Sequence, residues 1–271
     1  MEDFLMLMWK PLFACLILTG IHVYLGVHIV ERQVIFVDLA LAQIAALGIV
    51  VALLFGFDHE HVLTYWFALG ATFIGAVVFA CTRSRRQKIP QEAIIGIVYA
   101  MAASLAILLL SHSPEGDEHV RHMLVGNILL VNLSQIIKMA VLYAVIGLIH
   151  WRFRKVFLLI STDPQEAYRQ GVSIRFWDLV FYITFGVIVT SSVEIAGVLL
   201  VFSYLIVPAV SAILFCSTFK GRLIFGWIFG VIVSSLGLSL SYVADLPTGA
   251  SVACTFGAGL VVLSLVRSLY K

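Results

Sequence analysis

The stretch Leu63–Lys88, LTYWFALGATFIGAVVFACTRSRRQK, is an apolar run of about one bilayer thickness that ends in a basic cluster. The cluster holds four Lys and Arg residues between positions 83 and 88. The same order recurs at Leu133–Trp151, an apolar run followed by Arg152, Arg154 and Lys155. Apolar runs with basic residues at one end are typical of membrane spans whose cytoplasmic end carries the charge.

The composition of the whole chain agrees with a membrane protein. Hydrophobic residues make up 62% of the 271 positions, charged residues only 12%, and the mean hydropathy is +1.07. Soluble domains average about a quarter charged residues. We therefore predict an all-α, polytopic helical bundle of roughly eight or nine transmembrane helices. We expect residues 1–271 to form a single transmembrane domain.

Nine apolar runs are long enough to cross a bilayer. They are predicted at Pro11–Val30, Val34–Phe57, Leu63–Thr82, Ala93–Leu110, Leu133–Trp151, Trp177–Ser191, Ile195–Cys216, Leu223–Val243 and Ser251–Leu269. The apolar stretch Met123–Val131 is too short to cross and is interpreted as an interfacial or re-entrant piece. The first run lacks a small-residue cleavage site after it, so we interpret it as a retained span.

The basic residues predict the orientation. With alternating spans, 14 of the 17 Lys and Arg residues fall on one side, which is cytoplasmic by the positive-inside rule. The outer side then receives the segments Phe57–Val62, Ser111–His122 and Asp245–Pro247. An odd number of spans places the N-terminus outside.

The outer loops are rich in histidine and carboxylate side chains. Five of the eight histidines lie there, beside five acidic residues: His59, His61, His112, His119 and His122, with Asp58, Glu60, Glu115, Asp117 and Glu118. Imidazole and carboxylate suit divalent cations, so these loops are candidates for attracting or relaying metal ions. The alternative is a solvated acidic loop in which the histidines are incidental.

Several motifs that would indicate other functions are absent from the sequence. The four cysteines lie in apolar segments without CxxC spacing, which argues against a metal knuckle, a redox motif or a disulfide framework. Neither GxxxxGK[ST] nor HExxH nor GxSxG occurs, so we expect neither an enzyme nor a bound cofactor.

Charges at membrane depth are costly and are functional candidates by default. Asp38 is the strongest of these candidates, because small residues that favour close helix packing surround it. It could handle a cation, or it could pair with Arg32 or a helix N-terminus. Glu194, at a break between two apolar runs on the outer side, could line a pathway or cap the following helix.

The longest cytoplasmic segment, Arg152–Phe176, is polar enough for a short surface helix. Ser161 or Thr162 could cap that helix, with Asp163 and Glu166 in its first turn and Gly171 ending it. Such a helix could bind a cytoplasmic partner, and the alternative is a simple connecting loop.

Much of the chain from Arg32 onward resembles the permease subunits of bacterial ABC importers for zinc, manganese and iron(II). The matching stretches are Gly197–Ala209 (GVLLVFSYLIVPA), Leu240–Gly249 (LSYVADLPTG), Asp163–Val172 (DPQEAYRQGV), Ile94–Ile97 and Val125–Leu129. The resemblance implies a homodimeric, multi-pass permease of the bacterial inner membrane. It also implies ATP-binding cassette ATPase subunits docked on Asp163–Gly171, including Glu166 and Ala167, and an extracytoplasmic metal-binding protein.

The chain departs from this family in its second span. The family has an aspartate and a histidine four residues apart there, and a glycine five residues after the histidine. Gly48 matches the glycine, but Gln43 replaces the histidine and Leu39 the aspartate. The only acid is Asp38, and positions five apart diverge by about 140° around a helix. The usual two-residue ion site therefore does not carry over.

The sequence as a whole predicts a metal-importing ABC permease that works by alternating access. Candidate metal-handling residues are Asp38, Gln43, His59, His61, His119, His122 and Glu194. The outer histidines favour zinc slightly over manganese and iron. Alternatives are a permease of the same fold for a metal chelate or other solute, and a proton-driven secondary transporter using Asp38 and Glu194.

Overall fold

A computed structural model describes residues 2–58, 61–83, 89–111, 126 and 128–269, with side chains from residue 7 onward. Within these ranges every regular element is helical. The eleven α-helices are α1 (Glu2–Arg32), α2 (Val37–Leu54), α3 (Val62–Thr82), α4 (Gln91–Leu110), α5 (Leu133–Arg152), α6 (Arg154–Thr162), α7 (Pro164–Arg169), α8 (Ile174–Ala196), α9 (Val198–Phe215), α10 (Phe219–Ala244) and α11 (Thr248–Leu269). A 3-10 turn, Ile128–Leu130, precedes α5.

The prediction of nine spans is confirmed for the described part of the chain. Nine of the helices have the length and apolar composition to cross a membrane, namely α1 to α5 and α8 to α11. Their large exposed side chains are mostly apolar, as expected for helix faces in contact with lipid. The two remaining helices, α6 and α7, are short and lie in the segment predicted to be cytoplasmic.

Helix ends differ from the predicted bounds where capping, rather than hydropathy, decides the boundary. Helix α1 begins at Glu2 and not at Pro11, so Pro11 lies inside the helix, where its missing N–H removes one backbone hydrogen bond. Helix α8 continues to Ala196 and not to Ser191. It ends at Gly197, whose φ of +75° few side-chain-bearing residues adopt.

The chain divides into two compact units. Unit 1 contains Met1–Val30, Leu124–Leu148 and Glu194–Lys271, and unit 2 contains Glu31–Met123 and Ile149–Val193. In unit 1, helices α9, α10 and α11 pack together and α1 lies against α9. In unit 2, α2 packs on α3 and α4, and α3 meets α8.

Close helix approach in both units depends on small residues. In unit 1, a Cβ added to Gly26 would lie 1.9 Å from the backbone oxygen of Leu205, so α1 and α9 touch backbone to backbone. In unit 2, a Cβ on Gly48 would lie 2.8 Å from the Cα of Ala68. Small residues at such crossings are the usual device for tight packing of membrane helices.

Candidate functional site

Asp38 lies in the first turn of α2 and is almost completely buried, at 1% exposure. Its Oδ1 atom is buried without a hydrogen-bond partner. The N-terminal end of a helix favours negative charge, which offsets part of the cost of burying this carboxylate. The orphaned oxygen leaves Asp38 with capacity to accept a hydrogen bond or to contact a cation.

Of the two structural alternatives for Asp38, pairing with Arg32 is wrong, because Arg32 forms its ion pair with Asp178. The position at a helix N-terminus is confirmed. Gln43 is buried on the same helix at 7% exposure. Helix α2 is regular from Val37 to Leu54, so Asp38 and Gln43 point in directions about 140° apart.

The N-terminus of α2 is held by a second acid. The carboxylate of Glu92, in the first turn of α4, accepts a hydrogen bond of 2.9 Å from the backbone N–H of Phe36. The other oxygen of Glu92, Oε2, is buried without a hydrogen-bond partner. Two carboxylates, from Asp38 and Glu92, therefore belong to the first turns of two packed helices of unit 2.

Glu194 lies in the last turn of α8 and is exposed on the surface of the chain. The prediction that it caps the following helix is wrong, because α8 continues past it and Gly197 occupies the N-cap of α9. Lys138, on α5 of the same unit, is close enough to interact with it electrostatically. An exposed acid on an apolar helix needs water or a partner surface around it.

Of the four outer histidines named as metal candidates, the described residues include only His61. It is the N-cap of α3, and its Nδ1 accepts a hydrogen bond of 3.1 Å from the N–H of Leu63. His59, His119 and His122 lie outside the described residues, as does His112. In the part of the chain that the structure describes, no group of three or more His, Cys, Asp or Glu side chains is placed to hold a metal ion.

The cytoplasmic segment that was predicted to hold one short helix holds two, α6 and α7. Asp163, and not Ser161 or Thr162, caps α7, and its side chain accepts a hydrogen bond of 2.9 Å from the N–H of Glu166. Pro164 occupies the first turn, where its missing N–H costs nothing. Ser161 and Thr162 are instead the last two residues of α6, and their hydroxyls donate to carbonyls of the preceding turn.

An apolar cluster anchors these two helices to the start of α8. Ala167, in the middle of α7, is fully buried between Ile160 of α6 and Ile174 of α8. Gly171 follows α7 with a φ of +71°, and the N–H of Val172 bonds to the carbonyl of Ala167. Ala167 is thus an anchor inside the segment, whereas Gln165 and Arg169 of α7 are exposed.

A buried ionic network in unit 2 was missed by the sequence analysis. The carboxylate of Asp178 in α8 accepts a bond of 2.7 Å from Nη1 of Arg32 and bonds of 2.9 and 2.7 Å from Nη1 of Arg83. Neither the Arg32 nor the Asp178 side chain is exposed to any degree. Arg32 also donates from Nε to the hydroxyl of Ser161 at 2.8 Å and stacks on the ring of Phe181.

The sequence carries no specific signal for this network. Arg32, Arg83 and Asp178 each lie near a predicted span end, on the side predicted to be cytoplasmic. Charges there are usually in contact with water, and nothing in the sequence distinguishes these three from their neighbours. Their mutual contacts depend on packing between helices far apart in the chain.

The chain is similar to known membrane proteins over most of its length. The sequence pattern of the ABC 3 transport family matches residues 5–268. A probable iron transport system membrane protein of Haemophilus influenzae is 26% identical over 244 residues, covering 89% of this chain and 83% of that protein. The manganese transport system membrane protein MntC of Listeria monocytogenes is 27% identical over 186 residues, 66% of either chain.

A solved structure has the same fold. A chain of PsaBC from Streptococcus pneumoniae, determined in complex with a Fab, superimposes with a TM-score of 0.79 at 22% identity. The match covers 97% of this chain and 93% of that one. At this level of identity the likeness concerns the fold.

Proposed function

Because this chain belongs to the ABC 3 transport family, it is a multi-pass permease subunit of the bacterial inner membrane, and we propose that it imports divalent metal ions. The match over residues 5–268 is the observation that carries this proposal. The two relatives described above are named for iron and for manganese. We therefore place manganese and iron(II) ahead of zinc, which the outer histidines had favoured.

The proposed mechanism is alternating access driven by ATPase partners. A permease subunit has no nucleotide chemistry of its own, so the energy enters through docked ATP-binding cassette subunits. We propose that they dock on Asp163–Gly171, where α7 is capped by Asp163 and anchored by the buried Ala167. Because its helix is capped and anchored, this segment passes a movement of the ATPase subunits on to the transmembrane helices. A homodimer of single-domain permeases and an extracytoplasmic binding protein complete the proposed transporter.

Docking is tested by a charge reversal on the exposed face of α7. Arg169 is exposed and forms an ion pair with Glu166 at the surface. Arg169→Glu should weaken binding of the ATPase subunits by tenfold or more, measured by co-purification and by surface plasmon resonance. The matched control is Lys220→Glu, a reversal at an exposed basic residue in the first turn of α10. Equal affinity of the Arg169 variant and wild type would mean that the ATPase docks elsewhere.

We propose Asp38 as the acid of the cation path. Its buried oxygen without a hydrogen-bond partner supports this role, since a cation leaving water needs replacement ligands. Gln43 and Glu194 stay secondary candidates. Asp38→Asn keeps the size and removes the charge, and should reduce uptake of manganese and iron(II) at least tenfold. Asp245→Asn, at an exposed acid whose left-handed φ asparagine also adopts, is the control and should transport normally.

One observation favours a second candidate function, the import of a metal chelate. Asp38 and Gln43 lie on different faces of α2, so the pair cannot grip one bare ion together. A chelated metal brings its own ligands and needs fewer from the protein. Competition between free manganese and a manganese or iron chelate in the same uptake assay separates the two. If the Asp38→Asn protein takes up the free ion or the chelate at the wild-type rate, the role of Asp38 is structural.

A further inference from the structure

We infer that Arg32 is a positioning residue for energy coupling, linking the ATPase-docking segment to the cytoplasmic ends of α1 and α8. This inference rests on the proposed function, because it takes α6 and α7 as the docking segment. Arg32 ends α1, Ser161 lies near the end of α6, and Asp178 is in the second turn of α8. One guanidinium group joins all three.

The geometry of the guanidinium suits a rigid link. Nε donates to Ser161 at 2.8 Å while Nη1 donates to Asp178 at 2.7 Å. The face of the group lies over the ring of Phe181, with Cζ 4.0 Å from the ring centre. Two donors at fixed directions and a stacked face hold the planar group in one orientation. A displacement of α6 therefore moves Arg32 instead of being lost in a flexible side chain.

The bond to Ser161 is not needed to satisfy the serine. The Ser161 hydroxyl already donates to the carbonyl of Phe157 at 2.8 Å, the common arrangement for a serine inside a helix. Its neighbour Thr162 makes the equivalent bond to Leu158 at 2.9 Å and is exposed. Ser161 differs in being buried and in its additional contact with Arg32, 129 residues away in the chain.

The same segment is fixed to α8 by a second contact of different chemistry. Ala167 and Ile160 pack on Ile174, one turn before Asp178. The docking segment thus meets α8 through an apolar cluster and, through Arg32, by an ionic contact. Movement of the segment is passed to α8 at two points, which resists rotation as well as translation.

The network also has an unused donor. Nη2 of Arg32 is buried without a hydrogen-bond partner. Leaving a buried charged donor unpaired costs free energy in this arrangement. This donor is therefore available to a partner in another arrangement of these helix ends.

The test uses the full transporter, this chain with its ATPase subunits and binding protein in proteoliposomes. The readout is manganese or iron(II) taken up per ATP hydrolysed, a ratio that a purely structural residue would not move in properly folded protein. Ser161→Ala should lower this ratio at least threefold while ATP hydrolysis stays near wild type. Because Nε of Arg32 loses its acceptor, the variant should melt a few degrees lower, so the assay is run well below its melting temperature. The matched control, Thr162→Ala, removes a hydroxyl with the same local bond and should keep the wild-type ratio.

Arg32→Lys provides an independent variant that keeps the charge. An ammonium group can pair with Asp178 but cannot replace the two fixed donors of the guanidinium, so the ratio should fall here as well. A wild-type ratio in Ser161→Ala and Arg32→Lys overturns the inference. If in that case Arg169→Glu still loses ATPase binding, the proposed docking segment is kept and only the role of Arg32 is rejected. If Arg169→Glu binds the ATPase normally, the docking segment is wrong and the inference falls with it.

Discussion

Replacing Asp178 by Asn should destabilise the protein strongly, because it removes the one carboxylate between two arginines. The side chains of Arg32 and Asp178 are completely buried, whereas that of Arg83 is 12% exposed. Loss of the partner of a buried charge costs about 3–5 kcal/mol. Arg83 can turn toward water, so the loss of its ion pair with Asp178 adds at most about 1 kcal/mol to the destabilisation. We expect a total near the upper part of this range.

The assay is thermal unfolding of the purified chain in detergent, followed by fluorescence-detected size exclusion. For a chain of this size each kcal/mol corresponds to about 2–4 °C, so Asp178→Asn should lower the melting temperature by roughly 6–20 °C. Arg32→Gln should cost less, since Asp178 keeps both of its bonds to Arg83. Glu166→Gln breaks the exposed pair with Arg169 and should cost at most about 1 kcal/mol.

The order of the melting temperatures of these three variants tests the reasoning. A change below about 2 °C for Asp178→Asn, with Glu166→Gln equal to it, would contradict the account of a buried network that stabilises unit 2. A larger loss for Arg32→Gln than for Asp178→Asn would contradict the assignment of Asp178 as the shared partner.

Further predictions concern packing and orientation. Gly26→Ala places a Cβ 1.9 Å from the Leu205 backbone oxygen and should lower the free energy of unfolding by about 1–3 kcal/mol. The control Gly20→Ala, with nothing within 4 Å of the added Cβ, should be neutral or stabilising by up to about 1 kcal/mol. Equal melting temperatures of the two variants would contradict the close approach of α1 and α9. Cysteine reporters placed in Ser113–Glu118 should react with an impermeant reagent from outside, and those in Arg83–Lys88 only from inside. Reversed labelling would overturn the orientation and the outer position of the histidines.

The transmembrane helices could be predicted from the sequence because hydropathy and length are local properties. Their ends could not be predicted equally well. Glu194 looked like a cap because a charged residue interrupts an apolar run, but a helix ends where backbone geometry allows it, and Gly197 provides that geometry three residues later. The cap of α7 was predicted at Ser161 or Thr162 and is Asp163, because residue type alone does not select among three adjacent residues that can all cap a helix.

The candidate site was only partly predictable. Asp38 and the docking segment Asp163–Gly171 were proposed from residue types and from a family resemblance, both of which can be seen in a single sequence. The Arg32–Asp178 pair joins residues 146 positions apart, and no periodicity connects them. Sequence reasoning offered Asp38 as the partner of Arg32 because it was near in the chain. Packing between helices selects the more distant carboxylate.

The most direct test of the central claim is ATP-driven uptake of radioactive manganese and iron into proteoliposomes that contain this chain, its ATPase subunits and the binding protein. The account predicts accumulation of at least one of the two ions, dependent on ATP and lost at least tenfold in Asp38→Asn. ATP hydrolysis that responds to the binding protein while neither ion, free or chelated, accumulates would contradict it.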